Sequence, residues 1–315
     1  MTERDIYFTI LNHNLPPRFP KTDTVQLDYV PGEHSLDPKG GKDWFGVFWH
    51  REPDGTQMPV GHAIESMEDW QSIMPEVHED EMKYWGEKTQ EKYDRKNKVQ
   101  IVGIQSGHFE RMQSLVGFED ALVAFYEYPD ETMAYMEAMT DYKIELFRQI
   151  KKYYNPDIVS PHDDWGTNLN TFISPDIWRK FIKPQVKRLV EATHEMGMLY
   201  DQHSCGKIDS IFPELVEDCK IDMAEIQGVN NLKAIREAVG NKVVLRSCFN
   251  GQLLGNPVTT IDEARQHVRN TLDIVARDGN FIAQRPWGIP VEMWNIVNEE
   301  FNKFSKEVYG EEIAR

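Results

Sequence analysis

Cysteine is scarce in this 315-residue chain: Cys205, Cys219 and Cys248 are the only three. So few thiols, odd in number, in so long a chain do not make a disulfide framework, which leaves buried thiol, metal ligand or nucleophile as their roles. Cations are outnumbered too, with 35 Lys and Arg against 52 Asp and Glu and a formal net charge of −17. No basic run interleaved with aromatics occurs, so neither nucleic acid nor an anionic membrane is an expected partner. No apolar stretch approaches the roughly 18 residues of a spanning helix. The opening MTERDIYFTILNHN is charged from its third residue and predicts a cytoplasmic protein. Tandem repeats, low-complexity tracts and Gly/Ser linkers are missing as well, which argues for one domain over 1–315. GxGxxG, the P-loop pattern, CxxC and HExxH are all absent.

What is there is an alternation. From residue 99 onward, short β-branched runs end in polar or Gly-containing turns and lead into segments of helical period. The strand candidates are Val99–Gln105, Asp157–Ser160, Met198–Gln202, Ile221–Ile226, Lys242–Arg246 and Asn280–Ala283. Ser174-Pro175-Asp176 supplies a capping hydroxyl, a first-turn proline and a first-turn acid for a helix running to Gly197. Another helix starts near Pro129-Asp130-Glu131 and is stopped by Asn155-Pro156, and two more end at Gly240 and Gly279. Strands joined by such helices run parallel. With two further strands near Thr24–Tyr29 and Phe45–Trp49 they total eight, and predict a (β/α)8 TIM barrel over 99–315. Residues 1–98 hold those first two strands and an N-terminal extension, with the charged helical stretch Glu79–Lys98, that caps or lids the main barrel. An open nucleotide-binding sheet is disfavoured by the missing Gly-rich turn.

Barrel chemistry sits at the carboxyl ends of the strands. Those ends read His162-Asp163-Asp164-Trp165-Gly166, His203-Ser204-Cys205-Gly206, Glu225-Ile226-Gln227-Gly228, Arg246-Ser247-Cys248-Phe249-Asn250-Gly251 and Gln284-Arg285-Pro286-Trp287-Gly288. His203 and Cys205, two apart on extended backbone, share a face and can converge on one ion, with Cys248 or Glu225 as third ligand and Zn2+ as the metal best suited. The same spacing equally accommodates a hydrogen-bonded histidine beside a packed thiol. Asp163 and Asp164, after His162, are candidates for a general acid, a substrate-orienting carboxylate or a partner of a metal-bound imidazole, or else one of them caps a turn. His108-Phe109-Glu110-Arg111 is a further candidate that an internal Glu–Arg ion pair explains equally well.

His162-Asp163-Asp164-Trp165-Gly166, the helix entry Ile173-Ser174-Pro175, His203-Ser204-Cys205-Gly206 and Gln227 together resemble the uroporphyrinogen decarboxylase superfamily, and within it the corrinoid-dependent methyltransferases. The likeness spans residues 99–290 and is loose before them. It implies a (β/α)8 barrel that accepts cobalamin from a separate corrinoid protein, with an HxC pair, here His203 and Cys205, on zinc. It also implies catalytic roles for His162, Asp163, Asp164 and Glu225. Gln227, Asn250, Trp165 and Trp287 are the expected contacts to cofactor and substrate. Arg4, Arg18, Arg51 and Arg95 are scattered through the N-terminal third, which disfavours gripping a tetrapyrrole's carboxylates. Gln284-Arg285-Pro286-Trp287 stands where thiol-methylating relatives place their last zinc cysteine. The implied reaction is therefore O-demethylation, from a methoxylated aromatic or other methylated small molecule to cob(I)alamin. A methylcobamide:thiol methyltransferase and a cofactor-free decarboxylase are the alternatives. The sequence leaves the oligomeric state open, a homodimer included.

Overall fold

The computed structural model describes residues 1–34, 39–52, 56–285 and 288–313. Ten strands are present among them: β1 (Val25–Tyr29), β2 (Gly41–Lys42), β3 (Phe48–Arg51), β4 (Gln57–Val60), β5 (Val99–Ile104), β6 (Ile158–Pro161), β7 (Leu199–Ser204), β8 (Met223–Ile226), β9 (Val244–Ser247) and β10 (Phe281–Ile282). Seven form one parallel sheet in the order β1-β5-β6-β7-β8-β9-β10, so neighbours along the chain are neighbours in space. Strand, helix and next strand advance always in one direction and curl the sheet, which gives a TIM-barrel-like fold.

The expected barrel strand at Phe45–Trp49 is not one. Its latter part enters β3, in a separate antiparallel sheet β2-β3-β4. Phe45, Val47 and Trp49 are buried while Phe48 is exposed, the alternation of a sheet with one wet face. Every residue of β5, by contrast, is buried, as a strand covered on both faces must be. Residues 30–98 thus make an excursion between the first two strands of the barrel sheet, and the helix in it spans Glu79–Gln90.

The long helix Pro129–Tyr153 starts at its proline and stops before Asn155-Pro156, as expected. The helix after Ser174 is less regular: Pro175–Ile177 and Lys183–Glu195 flank a π-turn at Trp178–Ile182. Pro184 lacks an N–H and its ring crowds the carbonyl one turn back, which widens that turn. Gly197 then ends the segment in the left-handed region at φ 68°.

Two devices tie the N-terminal region down. The helix Glu3–Leu11 inserts Tyr7 and Ile10 among Val99, Ile101, Ile158, Met223, Val244 and Ile282, and so plugs the amino-terminal end of the barrel. The excursion is held by a buried quartet of charges. Arg111 meets Asp43 at 2.5 Å and Glu33 at 3.5 Å, and Lys143 meets Glu33 at 3.4 Å, all four side chains being at most 1% exposed. None of the described helices is long and apolar enough to cross a membrane.

Candidate metal-binding active site

Strand β7 carries His203 and delivers Cys205 just beyond its end, both on one face. His203 Nε2 lies 3.4 Å from Cys205 Sγ. The neighbouring β6 turn adds Asp164, whose Oδ1 is 3.5 Å from the same nitrogen and accepts the Cys205 backbone N–H at 2.7 Å. One ligand atom each from Asp164, His203 and Cys205 falls within a 4.8 Å group. Tetrahedral zinc with ordinary bond lengths holds such ligand atoms about 3.4–3.6 Å apart, so the two separations match a metal's coordination edge. The donor set of carboxylate, imidazole and thiolate suits zinc and leaves its fourth position free.

The residue brought beside His203 and Cys205 is Asp164, where Cys248 or Glu225 was expected. Cys248 is fully buried, with its thiol 3.6 Å from the Arg246 carbonyl, and burial pushes that thiol up to about 12. Glu225 faces the other side of the imidazole, with Oε2 3.3 Å from His203 Nδ1. It occupies the position from which a carboxylate orients a metal-bound histidine.

Glu225 is in turn fixed by Arg246. The guanidinium lies 2.9 Å from Glu225, 2.5 Å from Asp201 and 2.5 Å from Gln284 Oε1, and Gln284 also donates to Glu225 at 3.2 Å. Burial would raise the Glu225 carboxyl, but Arg246 and His203 outweigh it and hold the group far below the usual carboxylate range. Burial would likewise lower His203, yet Glu225, Cys205 and Asp164 push it well above an ordinary histidine. Without an ion, then, the site carries a proton on the imidazole that a metal would displace. His162 stacks on His203 with centroids 4.4 Å apart, and its burial and this neighbour keep it neutral.

The two adjacent acids divide their roles. Asp163 turns inward and accepts the backbone N–H groups of His108, Phe109 and Glu110 at 2.9–3.1 Å, and Trp165 Nε1 at 2.8 Å. It therefore caps the helix His108–Val116. Gly107 makes room for it, since a Cβ there would sit 2.2 Å from the Asp163 Cβ. Burial pushes the Asp163 carboxyl up to about 6, against the pull of those donors.

Several expected contacts lie elsewhere. Trp165 is fully buried against Trp178 and does not reach the cavity. Trp287 lies outside the described residues. Gln227 lines the cavity and accepts the Gly206 N–H at 3.0 Å, and Asn250 lines it while capping the turn Gly251–Gly255. Arg246 and Asp201 were missed as functional residues, although Arg246 ends a strand that is otherwise apolar. Glu110 was weighed as part of a further candidate or as an ion-pair partner of Arg111. Arg111 is taken by Asp43 and Glu33, and Glu110 Oε2 is buried without a partner among the described residues while burial and the nearby Asp164 and Asp163 raise its carboxyl.

These groups open on a cavity of about 1100 Å³ at the carboxyl ends of β6 to β10, with Leu27, Tyr29, Ile226 and Phe249 as apolar wall and His203, Cys205 and Glu225 on its polar side. That is ample for a small-molecule ligand.

The sequence profile of the uroporphyrinogen decarboxylase (URO-D) family matches residues 48–299. No curated protein matches the chain. Among solved structures, a methyltransferase from Methanosarcina mazei is similar at TM-score 0.61 and 15% identity, over 82% of this chain and 76% of that one. A glycosylated endo-beta-1,4-xylanase of glycoside hydrolase family 10 from Gloeophyllum trabeum reaches TM-score 0.41 at 9% identity, over 65% of this chain and 75% of that one.

Proposed function

The chain belongs to the uroporphyrinogen decarboxylase (URO-D) family, and from that membership we propose that it is a corrinoid-dependent methyltransferase. It takes a methyl group from a methoxylated aromatic, or another methylated small molecule, and passes it to cob(I)alamin presented at the cavity mouth by a separate corrinoid protein. The observation that carries this reading is the Asp164–His203–Cys205 group at the edge of an apolar-walled cavity.

Phenolate is a reluctant leaving group, so methyl transfer from an aryl ether needs help at the ether oxygen. Zinc, when held by Asp164, His203 and Cys205, would supply Lewis acidity there. The protein's own residues set up that chemistry. Glu225, fixed by Arg246, turns His203 so that Nε2 faces Asp164 and Cys205. Tyr29 and Phe249 offer apolar surface to a ring. The methyl–oxygen bond would break with its electron pair left on the oxygen as phenolate, and the methyl would pass to the cob(I)alamin acceptor, whose own nucleophilic electron pair would make the new bond.

The alternatives fit the cavity less well. A tetrapyrrole decarboxylase must meet several carboxylates. Of the two arginines among the described cavity residues, Arg246 is already committed to Asp201 and Glu225. Thiol methylation in relatives uses a second zinc cysteine, and Cys248 does not join the group.

Zinc analysis of the purified chain, beside methyl transfer to reduced free cobalamin from a panel of methoxyaromatics, tests the reading. Cys205→Ala should lose the metal, keep the fold, and slow transfer by about 10²–10⁴-fold, more with unactivated donors than with electron-poor ones. Full zinc content in that variant, or turnover with no corrinoid present, would defeat the proposal, and the latter would restore the decarboxylase.

A further inference from the structure

Strand β9 ends abnormally. Arg246 and Ser247, its last two residues, both line the cavity. The departure is in the backbone: Ser247 and Cys248 sit at φ 67° and φ 61°. A non-glycine residue adopts this left-handed region only at a cost, and two in succession require surroundings that enforce it.

Those surroundings are on the adjoining β8 turn. The Cys248 N–H donates to the Ile226 carbonyl at 3.0 Å, and the Gly228 N–H donates to the Phe249 carbonyl at 3.1 Å. Gly228 abuts the β9 turn so closely that a Cβ on it would lie 2.4 Å from the Asn250 nitrogen. The Cys248 thiol is thereby buried. Ser247 takes the place beside the cavity, 7% exposed. Enforced backbone strain at a residue that lines a cavity points to a role for that residue in the cavity.

Its position says which part of the ligand it meets. Register runs Ser204↔Ile226↔Ser247 across β7, β8 and β9. Ser247 is therefore two strands from the end of β7, a lateral offset of about 10 Å from the Asp164–His203–Cys205 group. A benzene ring with oxygens on opposite carbons, one at that group and one hydrogen-bonded to a serine, fits such a gap. Leu27, Tyr29 and Phe249 wall the space between. We propose that Ser247 is a specificity-determining residue whose hydroxyl hydrogen-bonds an oxygen substituent on the ring position opposite the methoxy group, so that the preferred donors are para-oxygenated methoxyaromatics. This rests on the methoxyaromatic reading above.

The test is calorimetric binding of 4-methoxyphenol and of methoxybenzene to the full-length, zinc-loaded chain and to Ser247→Ala and Ser247→Gly. The wild type should bind 4-methoxyphenol about fivefold more tightly than methoxybenzene, the worth of one hydrogen bond. Both variants should erase that preference while their affinity for methoxybenzene stays that of the wild type. Ser247→Gly should also melt about 1–3 °C above Ser247→Ala, because glycine accepts the left-handed backbone and alanine does not. Preference for 4-methoxyphenol surviving in both variants would overturn the assignment. Failure of the wild type to bind either compound would overturn the methoxyaromatic reading itself, and this proposal with it.

Discussion

Asp163→Asn tests whether an acid beside the candidate metal ligands holds up the fold instead of taking part in the chemistry. Its Oδ1 accepts from Phe109 and Glu110 at 3.0 and 2.9 Å, and its Oδ2 from His108 and Trp165 Nε1 at 3.1 and 2.8 Å. Asparagine preserves the shape and one oxygen but turns an amide NH2 toward the other pair of donors. Two buried N–H groups then lose their acceptor at about 1–2 kcal/mol each, and a charge at the helix N-terminus worth up to about 1 kcal/mol is lost. The total is about 2–5 kcal/mol, or a fall in Tm of about 3–8 °C for a chain of this length. Thermal melts followed by circular dichroism read the stability, and zinc analysis on the same samples reads the site. The expected result is a large loss of Tm with zinc bound at the wild-type ratio, since Asp164, His203 and Cys205 are untouched. An unchanged Tm with zinc lost would refute the division of roles between the two acids.

Two other substitutions probe buried charge. Arg246→Gln leaves Asp201 and Glu225 without their cation, which should cost about 3–5 kcal/mol in urea unfolding. Loosening Glu225 should also weaken zinc affinity by about 10–100-fold in a chelator competition, whereas unchanged affinity would detach Glu225 from His203. His108 is buried with Nε2 2.8 Å from Thr140 Oγ1, and burial, with Lys143 and Arg188 adding to it, pulls it down to about 3. Because its folded pKa lies below the unfolded value, the stability it contributes is intact above about pH 6.5 and drains as pH falls toward 3. By pH 5 the loss is about 2 kcal/mol. Urea melts at pH 7.5 and pH 5 should show His108→Gln losing that much less than the wild type over the same interval, and parallel losses would contradict a neutral buried His108.

Strand–helix alternation was legible because parallel strands under helices are buried at every position and hence mostly apolar, as Val99–Ile104 is apart from Gln100. Phe45–Trp49 misled because a five-residue run cannot report which sheet it joins, although its alternating burial, once seen, separates it from the barrel strands. The His203/Cys205 pairing was readable from a spacing of two on extended chain. The third ligand was not, because Asp164 follows a strand end and meets His203 only through the β6–β7 register. Nor did the sequence distinguish Asp163 from Asp164: which of two neighbours turns inward depends on the helix His108–Val116, more than 50 residues earlier, needing a cap. Cys248 looked like a ligand until the reversal of backbone hand at Ser247 turned it away. That conformation carries no signature in residue type.

The quartet Arg111, Asp43, Glu33 and Lys143 makes the excursion and the barrel indivisible. Arg111 and Lys143 belong to helices of the barrel, while Asp43 and Glu33 belong to the excursion before it. A truncation beginning at residue 99 would strand two buried cations, each at a cost of about 3–5 kcal/mol, on the scale of a whole domain's stability. The same arithmetic governs transplants: an excursion borrowed from another family member, carrying its own substrate preferences, could be accommodated only if it brought two acids to the same two positions. Variation in the excursion is therefore confined to residues that leave those charges matched, and the region behaves less as a removable lid than as a keystone set between the first two staves of the barrel.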